Sequence, residues 1–155
     1  LILGRPGLTI LLLEDEQLRM KLTTHLAAEF GQRVVHEITA PEENGVVSCR
    51  WEWWLRYQYQ LPVPEQIIIA LLPLPSLESP FISARVESMK RAGKDCFRDY
   101  LLPEALSLIP KAVAPLRKNQ GRLAILDGRL RRRSWGEEFL YVLEPWTPLN
   151  RLLPE

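Results

Sequence analysis

Gln66 to Leu106 reads QIIIALLPLPSLESPFISARVESMKRAGKDCFRDYLLPEAL, and its order of elements decides the fold. Three consecutive isoleucines, Ile67 to Ile69, make Gln66–Leu72 the most β-like run in the chain, and its lack of alternation predicts a parallel strand covered on both faces. Pro73, Pro75 and Pro80 hold the next segment extended. From Phe81 a helix is predicted to Ala92, ended by Gly93. Asp95 opens another to about Leu102, and Pro103 suits the first position of the next, with Glu104 well placed near its N-terminus. Pro110 and Pro115 each remove a donor and clash with the preceding turn, at roughly 3 kcal/mol apiece inside a helix, so a kink or stop is expected between them.

Upstream, the pattern repeats. Leu8–Leu13 (LTILLL) is an unbroken apolar run and reads as a central parallel strand. Asp15 is placed to cap a helix in which Leu18, Leu22, Leu26 and Phe30 recur, with Gly31 to end it. Arg33–Ile38 and Gly45–Arg50 are short strand candidates. The second leads into WEWWLRYQYQ, where Trp51, Trp53, Trp54, Tyr57 and Tyr59 crowd together. Downstream, Arg122–Leu126 reads as a last core strand, Gly128 as a turn, and Ser134 as the cap of a helix reaching Leu143. The tail from Pro145 is proline-broken, and Trp146 and Leu149 are expected to pack back on the body. Strands alternating with helices at this spacing predict one open α/β sheet.

A chain of 155 residues suits one domain, spanning 1–155 with a tail from 145, and can bury roughly two-thirds of its unfolded surface. Cys49 and Cys96 match no metal-ligand spacing, which argues against zinc or a disulfide framework and for a reducing, cytoplasmic setting. No apolar run approaches the ~18 residues of a membrane span, and LILGRPG lacks the regions of a secretory signal. A first residue other than Met leads us to expect a piece of a longer protein.

The net charge of +1 predicts no nucleic-acid partner by itself, but its distribution is uneven. Lys111, Arg117, Lys118, Arg122, Arg129, Arg131, Arg132 and Arg133 face a single acid, Asp127, whereas Glu14 to Glu65 leans acidic. Such a stretch is either a phosphate-binding surface or a solvated, salt-screened face. A phosphate-cradling loop needs glycines after a strand plus a lysine and a hydroxyl. Gly4-Arg5-Pro6-Gly7 precedes one. His25 and His36 stand alone, and Glu14, Asp15 and Glu16 are the carboxylates a helix start attracts.

The order of Leu-Pro-x-Pro (Leu72–Pro75), Ala84-Arg85-Val86-Glu87 and Asp-x-Phe-Arg-x-Tyr-x-Leu-Pro-Glu-Ala (Asp95–Ala105), followed by ILDGRL (Ile125–Leu130) and Trp135-Gly136, resembles the C-terminal motor domain of DinG/XPD-type superfamily 2 DNA helicases. The resemblance covers about Thr9 to Leu143. It implies a RecA-like α/β fold: an open, mostly parallel sheet with helices on both faces. It also implies a parent that binds single-stranded DNA and hydrolyses ATP with Mg in a cleft shared with a preceding RecA-like domain. No cofactor belongs to this piece alone.

Two departures concern the motor chemistry. Where the family has Trp-Glu-Gly in a loop linking ATP state to DNA, this chain has Trp51-Glu52-Trp53. Where it has Gln-x-x-Gly-Arg-x-x-Arg, with arginines reaching the ATP phosphates, the aligned positions hold Pro110, Val113, Ala114 and Arg117. Arg117 is then the residual ATP-contacting candidate, and Gln120-Gly121-Arg122 abuts the next strand instead of standing at the motif. Arg50, Trp51, Glu52, Arg131, Arg132 and Arg133 are the nucleic-acid candidates. The aromatic cluster has two readings: rings that stack on bases beside Arg50 and Arg56, or a helix that packs its aromatics into the core or onto a partner domain, with Trp51, Trp54 and Gln58 on one face, Trp53 and Tyr57 on another, and either face open to be the solvated one. The chain is accordingly either a motor domain with a degenerate arginine motif or a non-catalytic nucleic-acid- or partner-binding module derived from one.

Overall fold

The fold is that of a computed structural model, which describes residues 6–74 and 80–149. Pro75, Gly4-Arg5 and the tail beyond 149 therefore lie outside the described residues, as do the side chains of Phe30 and Gln32.

Leu8–Leu13 forms β1 (Thr9–Leu12), and Asp15 caps α1 (Glu16–Phe30) by accepting from the Leu18 N–H at 2.9 Å. Gly31, at φ 68°, closes that helix in the left-handed region a glycine tolerates. Then come β2 (Val34–His36), β3 (Val46–Cys49), α2 (Trp51–Tyr57), β4 (Gln66–Ile69), α3 (Pro80–Arg91), α4 (Leu102–Val113), β5 (Arg122–Ile125), α5 (Arg129–Arg132) and α6 (Gly136–Val142). All strands pair in parallel, in the order β2-β3-β1-β4-β5. β1 is central, as its apolar run requires.

Successive residues of a strand face opposite ways, and the two faces are covered differently. Ile10, Leu12, Val47, Cys49, Ile67 and Ile69 meet the buried sides of α2, α4 and α6. Leu11, Val34, Val46 and Ile68 meet Leu22, Leu26 and Ala27 of α1. The architecture is the expected α/β sheet with helices on both faces, consistent with a RecA-like fold. No helix among the described residues is long and apolar enough to cross a membrane.

Several local expectations are revised. β5 is an edge strand, only half-buried, because nothing among the described residues pairs on its outer side. The stretch after Asp95 does not break at Pro103: a π-helical turn, Phe97–Leu101, runs straight into α4, its widening set just before the residue that has no N–H to donate. Pro110 lies inside α4, and the buried Ile109 and Ala112 beside it offset the cost of the missing bond. The helix ends at Val113 and tightens into a 3-10 segment, Ala114–Lys118, so the stop falls between the two prolines. Ser134 is not the cap of α6; Trp135 occupies that position. Trp146 is 48% exposed and Leu149 57% exposed, so Leu149 does not pack back.

The aromatic helix resolves into its packing reading. Trp51 and Trp54 are buried with Gln58, and the Trp54 Nε1–H donates to the Ala112 carbonyl at 2.8 Å, tying α2 to the end of α4. Trp53 and Tyr57 pair on the other side at 5.2 Å between centroids. Trp135 stands between Phe97 and Phe139, at 5.7 and 5.5 Å. A Cβ on Gly136 would fall onto the Leu130 carbonyl oxygen, which explains a glycine after that tryptophan.

Two substitutions test this packing by thermal denaturation. Trp54→Phe should cost about 2–4 kcal/mol, since it opens a cavity and orphans a buried carbonyl. Gly136→Ala should cost about 3 kcal/mol by forcing α5 and α6 apart. Melting temperatures within a degree of wild type would refute the corresponding contact.

Candidate functional site

In a parallel α/β sheet, ligands gather at the carboxyl ends of the strands, in the crevice where neighbouring connections leave for opposite faces. Here β1 sends α1 to one face and its neighbour β3 sends α2 to the other, so one such crevice lies between β1 and β3. One side chain spans it, and further pairs tie the neighbouring β2–β3 side. The Glu14 carboxylate accepts the Trp51 N–H at 3.1 Å. Glu37, held at φ 43°, accepts the Arg50 N–H at 3.2 Å and its guanidinium at 2.8 and 3.3 Å. The Arg50 side chain beside Glu37 holds that carboxyl below its usual range, against burial, and Arg50 is correspondingly raised. Below them the buried Arg19 reaches His36 Nδ1 at 3.1 Å. Burial and then the Arg19 charge push His36 below its usual value, and because a guanidinium only donates, the ring accepts at Nδ1. Burial pushes the neighbouring Cys49 thiol up.

The β4–β5 half of the edge is built on Asp127, which is only 6% exposed. One of its oxygens accepts the Leu72 N–H at 2.9 Å, where the chain leaves β4. The other accepts the Arg129 N–H at 3.0 Å, and the Arg129 guanidinium closes on the carboxylate at 2.7 Å. Burial raises the carboxyl, but the hydrogen bonds from the Arg129 side chain and from the Leu72 and Arg129 amides outweigh it and hold Asp127 below its ordinary value. ILDGRL is therefore a bracket that fixes the exits of two adjacent strands to each other.

Beyond the bracket, Arg131, Arg132 and Arg133 are exposed, with no ion pair or side-chain hydrogen bond among the described residues. They make the free positive charge of this edge. The basic stretch is not one surface, however. Arg117, Lys118 and Arg122 precede or open β5, and Arg129 to Arg133 follow it, so the strand carries the two groups to opposite ends of the sheet. Lys118 lies 5.7 Å from the centroid of the exposed Tyr59 ring at the far end.

The remaining sequence candidates divide. Glu52 and Arg50 reach the surface at the β3 exit. Trp51, 3% exposed and donating its Nε1–H to the Leu71 carbonyl at 3.2 Å, is an anchor of the core and offers no open ring face. Residue 53, glycine in the resembled pattern, is helical here because Trp51 and Trp54 draw the segment into α2. Arg117 donates to the Leu143 carbonyl at 2.6 Å and the Pro145 carbonyl at 2.9 Å. Gly121 stands in the loop entering β5, as expected, closed in by Leu116 and the Glu65 carbonyl. No cluster of three or more metal-ligating side chains occurs among the described residues. Sequence reasoning missed the Glu37–Arg50 pair and the hold of Asp127 on Leu72.

The arrangement defines a parallel α/β domain with a built carboxyl edge. No family model matches the chain. It is 35% identical over 125 residues to a protein named ATP-dependent DNA helicase YoaA from Haemophilus influenzae, covering 79% of this chain and 20% of that protein. It is also 35% identical over 137 residues to the Escherichia coli protein of the same name, covering 86% of this chain and 22% of the relative. The chain spans about one fifth of the length of these curated relatives, and is a helicase-related region.

The bracket has a pH signature. A carboxyl whose folded value is depressed contributes stability above its unfolded value of about 3.9, and that contribution is lost as pH falls through the lower folded value. Asp127→Asn should therefore lower stability by about 1–3 kcal/mol at neutral pH, with the difference from wild type shrinking below about pH 4. Chemical denaturation across pH measures it; a constant difference at all pH values would show that the charge of Asp127 does not matter.

Proposed function

We propose that this chain is the second RecA-like domain of a DinG-like, ATP-dependent DNA helicase, holding single-stranded DNA at the carboxyl edge of its sheet. A preceding RecA-like domain of the parent polypeptide would supply most of the site for ATP and Mg, and the two domains would close over the nucleotide. The observation that carries this reading is a row of three exposed, unpaired arginines, Arg131 to Arg133, at the carboxyl edge of a helicase-related sheet. Guanidinium groups without a carboxylate partner are free to take phosphate oxygens. Arg50 and Glu52 border the same edge on the β3 side, with Trp51 as the anchor beneath them, and Trp53 and Tyr57 of the same helix are partly open rings.

In this reading Arg117 is the residual ATP-contacting arginine of a degenerate motif. A specific observation favours the second reading, a non-catalytic binding module derived from such a domain: Pro110 and Ala114 offer no cation at the other motif positions, and Arg117 is engaged with carbonyls. DNA-stimulated ATP turnover by the full-length parent separates the two. The motor reading expects turnover, and its absence in a parent that still binds DNA selects the module.

DNA holding is tested on the chain itself by anisotropy of a labelled oligonucleotide over a salt series. Each neutralised phosphate adds roughly 0.7 to the logarithmic salt slope for a single strand. Replacing Arg131, Arg132 and Arg133 together by Glu should weaken binding by at least about tenfold at low salt and flatten the slope by about 2. Unchanged binding in the triple variant would remove these arginines from the interface.

A further inference from the structure

Arg117 is the residue in which sequence and structure pull apart. Its guanidinium is spent on two peptide carbonyls, those of Leu143 and Pro145, at 2.6 and 2.9 Å. Leu143 is the C-terminal cap of α6, a helix with no basic residue in its last turn, so Arg117 also supplies the positive charge that the end of α6 lacks. The segment it holds is tied as well by the buried Leu143 side chain, by the Leu143 and Glu144 N–H groups donating to the Leu140 and Tyr141 carbonyls at 3.3 and 3.1 Å, and by the Trp146 Nε1–H donating to the Leu140 carbonyl at 2.9 Å, while the Trp146 ring is half exposed. No ion pair neutralises Arg117 among the described residues.

These facts describe a cation held by weak competitors. Neutral carbonyls are poorer partners for a guanidinium than a phosphate oxyanion, whose charge-assisted bonds are roughly twice as strong. Lys118, next in the chain and also exposed, adds a second positive charge to the same short segment. We propose that the segment Glu144–Trp146, which follows the buried Leu143, is a latch that occupies Arg117 through the Leu143 and Pro145 carbonyls, and that a phosphate-bearing ligand must displace it to reach the guanidinium. The inference rests on the reading of Arg117 as a phosphate-contacting residue and adds its regulation: the resting chain masks its own arginine. The oxyanion can come from a nucleotide or from a nucleic-acid backbone, and the chemistry at Arg117 is the same for both.

The test uses the intact chain with two probes, inorganic tripolyphosphate for the nucleotide source and a single-stranded oligonucleotide for the backbone source. Amide hydrogen exchange over residues 140–149 reports the latch, and calorimetry reports affinity. Saturating ligand should speed exchange of the Leu143 and Glu144 amides, whose N–H groups donate to the Leu140 and Tyr141 carbonyls, roughly tenfold, since it removes the clamp on the turn that holds them. Trp146→Ala, which loosens the latch without touching Arg117, should bind the same probe roughly three- to tenfold more tightly, because less of the population is masked. Arg117→Ala should show fast tail exchange from the start and no response to ligand, and Arg117→Lys, which keeps the charge but not the two-pronged donor, should fall between. Whichever probe drives these changes identifies the source of the phosphate.

Binding that depends on Arg117 but leaves tail exchange and the Trp146→Ala affinity unchanged overturns the latch while sparing the phosphate reading. Binding of neither probe by wild type and by Trp146→Ala overturns both for Arg117. In either case the DNA contact at Arg131 to Arg133 stands or falls on its own salt series.

Discussion

The constraint on which the rest of this structure depends is that a parallel sheet must be covered on both faces. Parallel strands need crossover connections, and each crossover lays a helix or a segment against the sheet. β1, with Ile10 and Leu12 fully buried on one face and Leu11 on the other, has no solvent-facing side at all. α1 must therefore cover one face while α2, α4 and α6 cover the other. Once neighbouring strands send their chains to opposite faces, their carboxyl ends part and a crevice exists whether or not a ligand uses it. In this chain Glu14 accepts the Trp51 N–H there, and Glu37 accepts the Arg50 N–H between the ends of β2 and β3. The free charge is thus left to the β5 side of the edge.

That side is organised by one carboxylate. Asp127 serves the Leu72 amide, the Arg129 amide and the Arg129 guanidinium together, so the turn after β5 cannot move without the turn after β4. Arg129 is consumed in this bracket, and the three arginines that follow α5's start project from a turn whose base is fixed. A charged patch on a pinned turn loses less conformational freedom when it meets a ligand than one on a loose loop. The same logic applies with opposite sign at the other end of β5, where Arg117 holds a strap through neutral acceptors and its charge is masked.

Much of the fold was legible because its signals are local. LTILLL and QIII announce buried strands by apolar continuity, Asp15 announces a helix start, and the 51, 54, 58 spacing groups Trp51, Trp54 and Gln58 on one face of the helix without saying which face is buried. The edge position of β5 was not legible, because an apolar strand carries no mark of what lies beside it. Arg50 and Glu37 are 13 residues apart and meet only because β2 and β3 are neighbours in register. The basic run looks continuous in sequence and is divided in space by the four residues of β5. Arg117 was legible as a cation and not as a clamp, since backbone carbonyls leave no residue-type signature.

The residues that carry the family resemblance differ in what they do here, and the difference limits what resemblance can mean. Leu102 and Ala105 of the Leu-Pro-Glu-Ala run are buried, Trp135 is locked between two phenylalanines, Gly136 admits the Leu130 carbonyl, and Asp127 is the bracket. Every one of them is needed to pack or pin the scaffold. Pro110 is exposed and Ala114 only half-buried, at positions where the resembled motif puts chemistry, and the packing accepts them. A chain can thus keep the wording that builds the sheet while changing the wording that would act on a phosphate, since the two sets touch different neighbours. Similarity in the first set argues for the fold. Activity must be argued from the second, where Arg117 stands alone and already engaged.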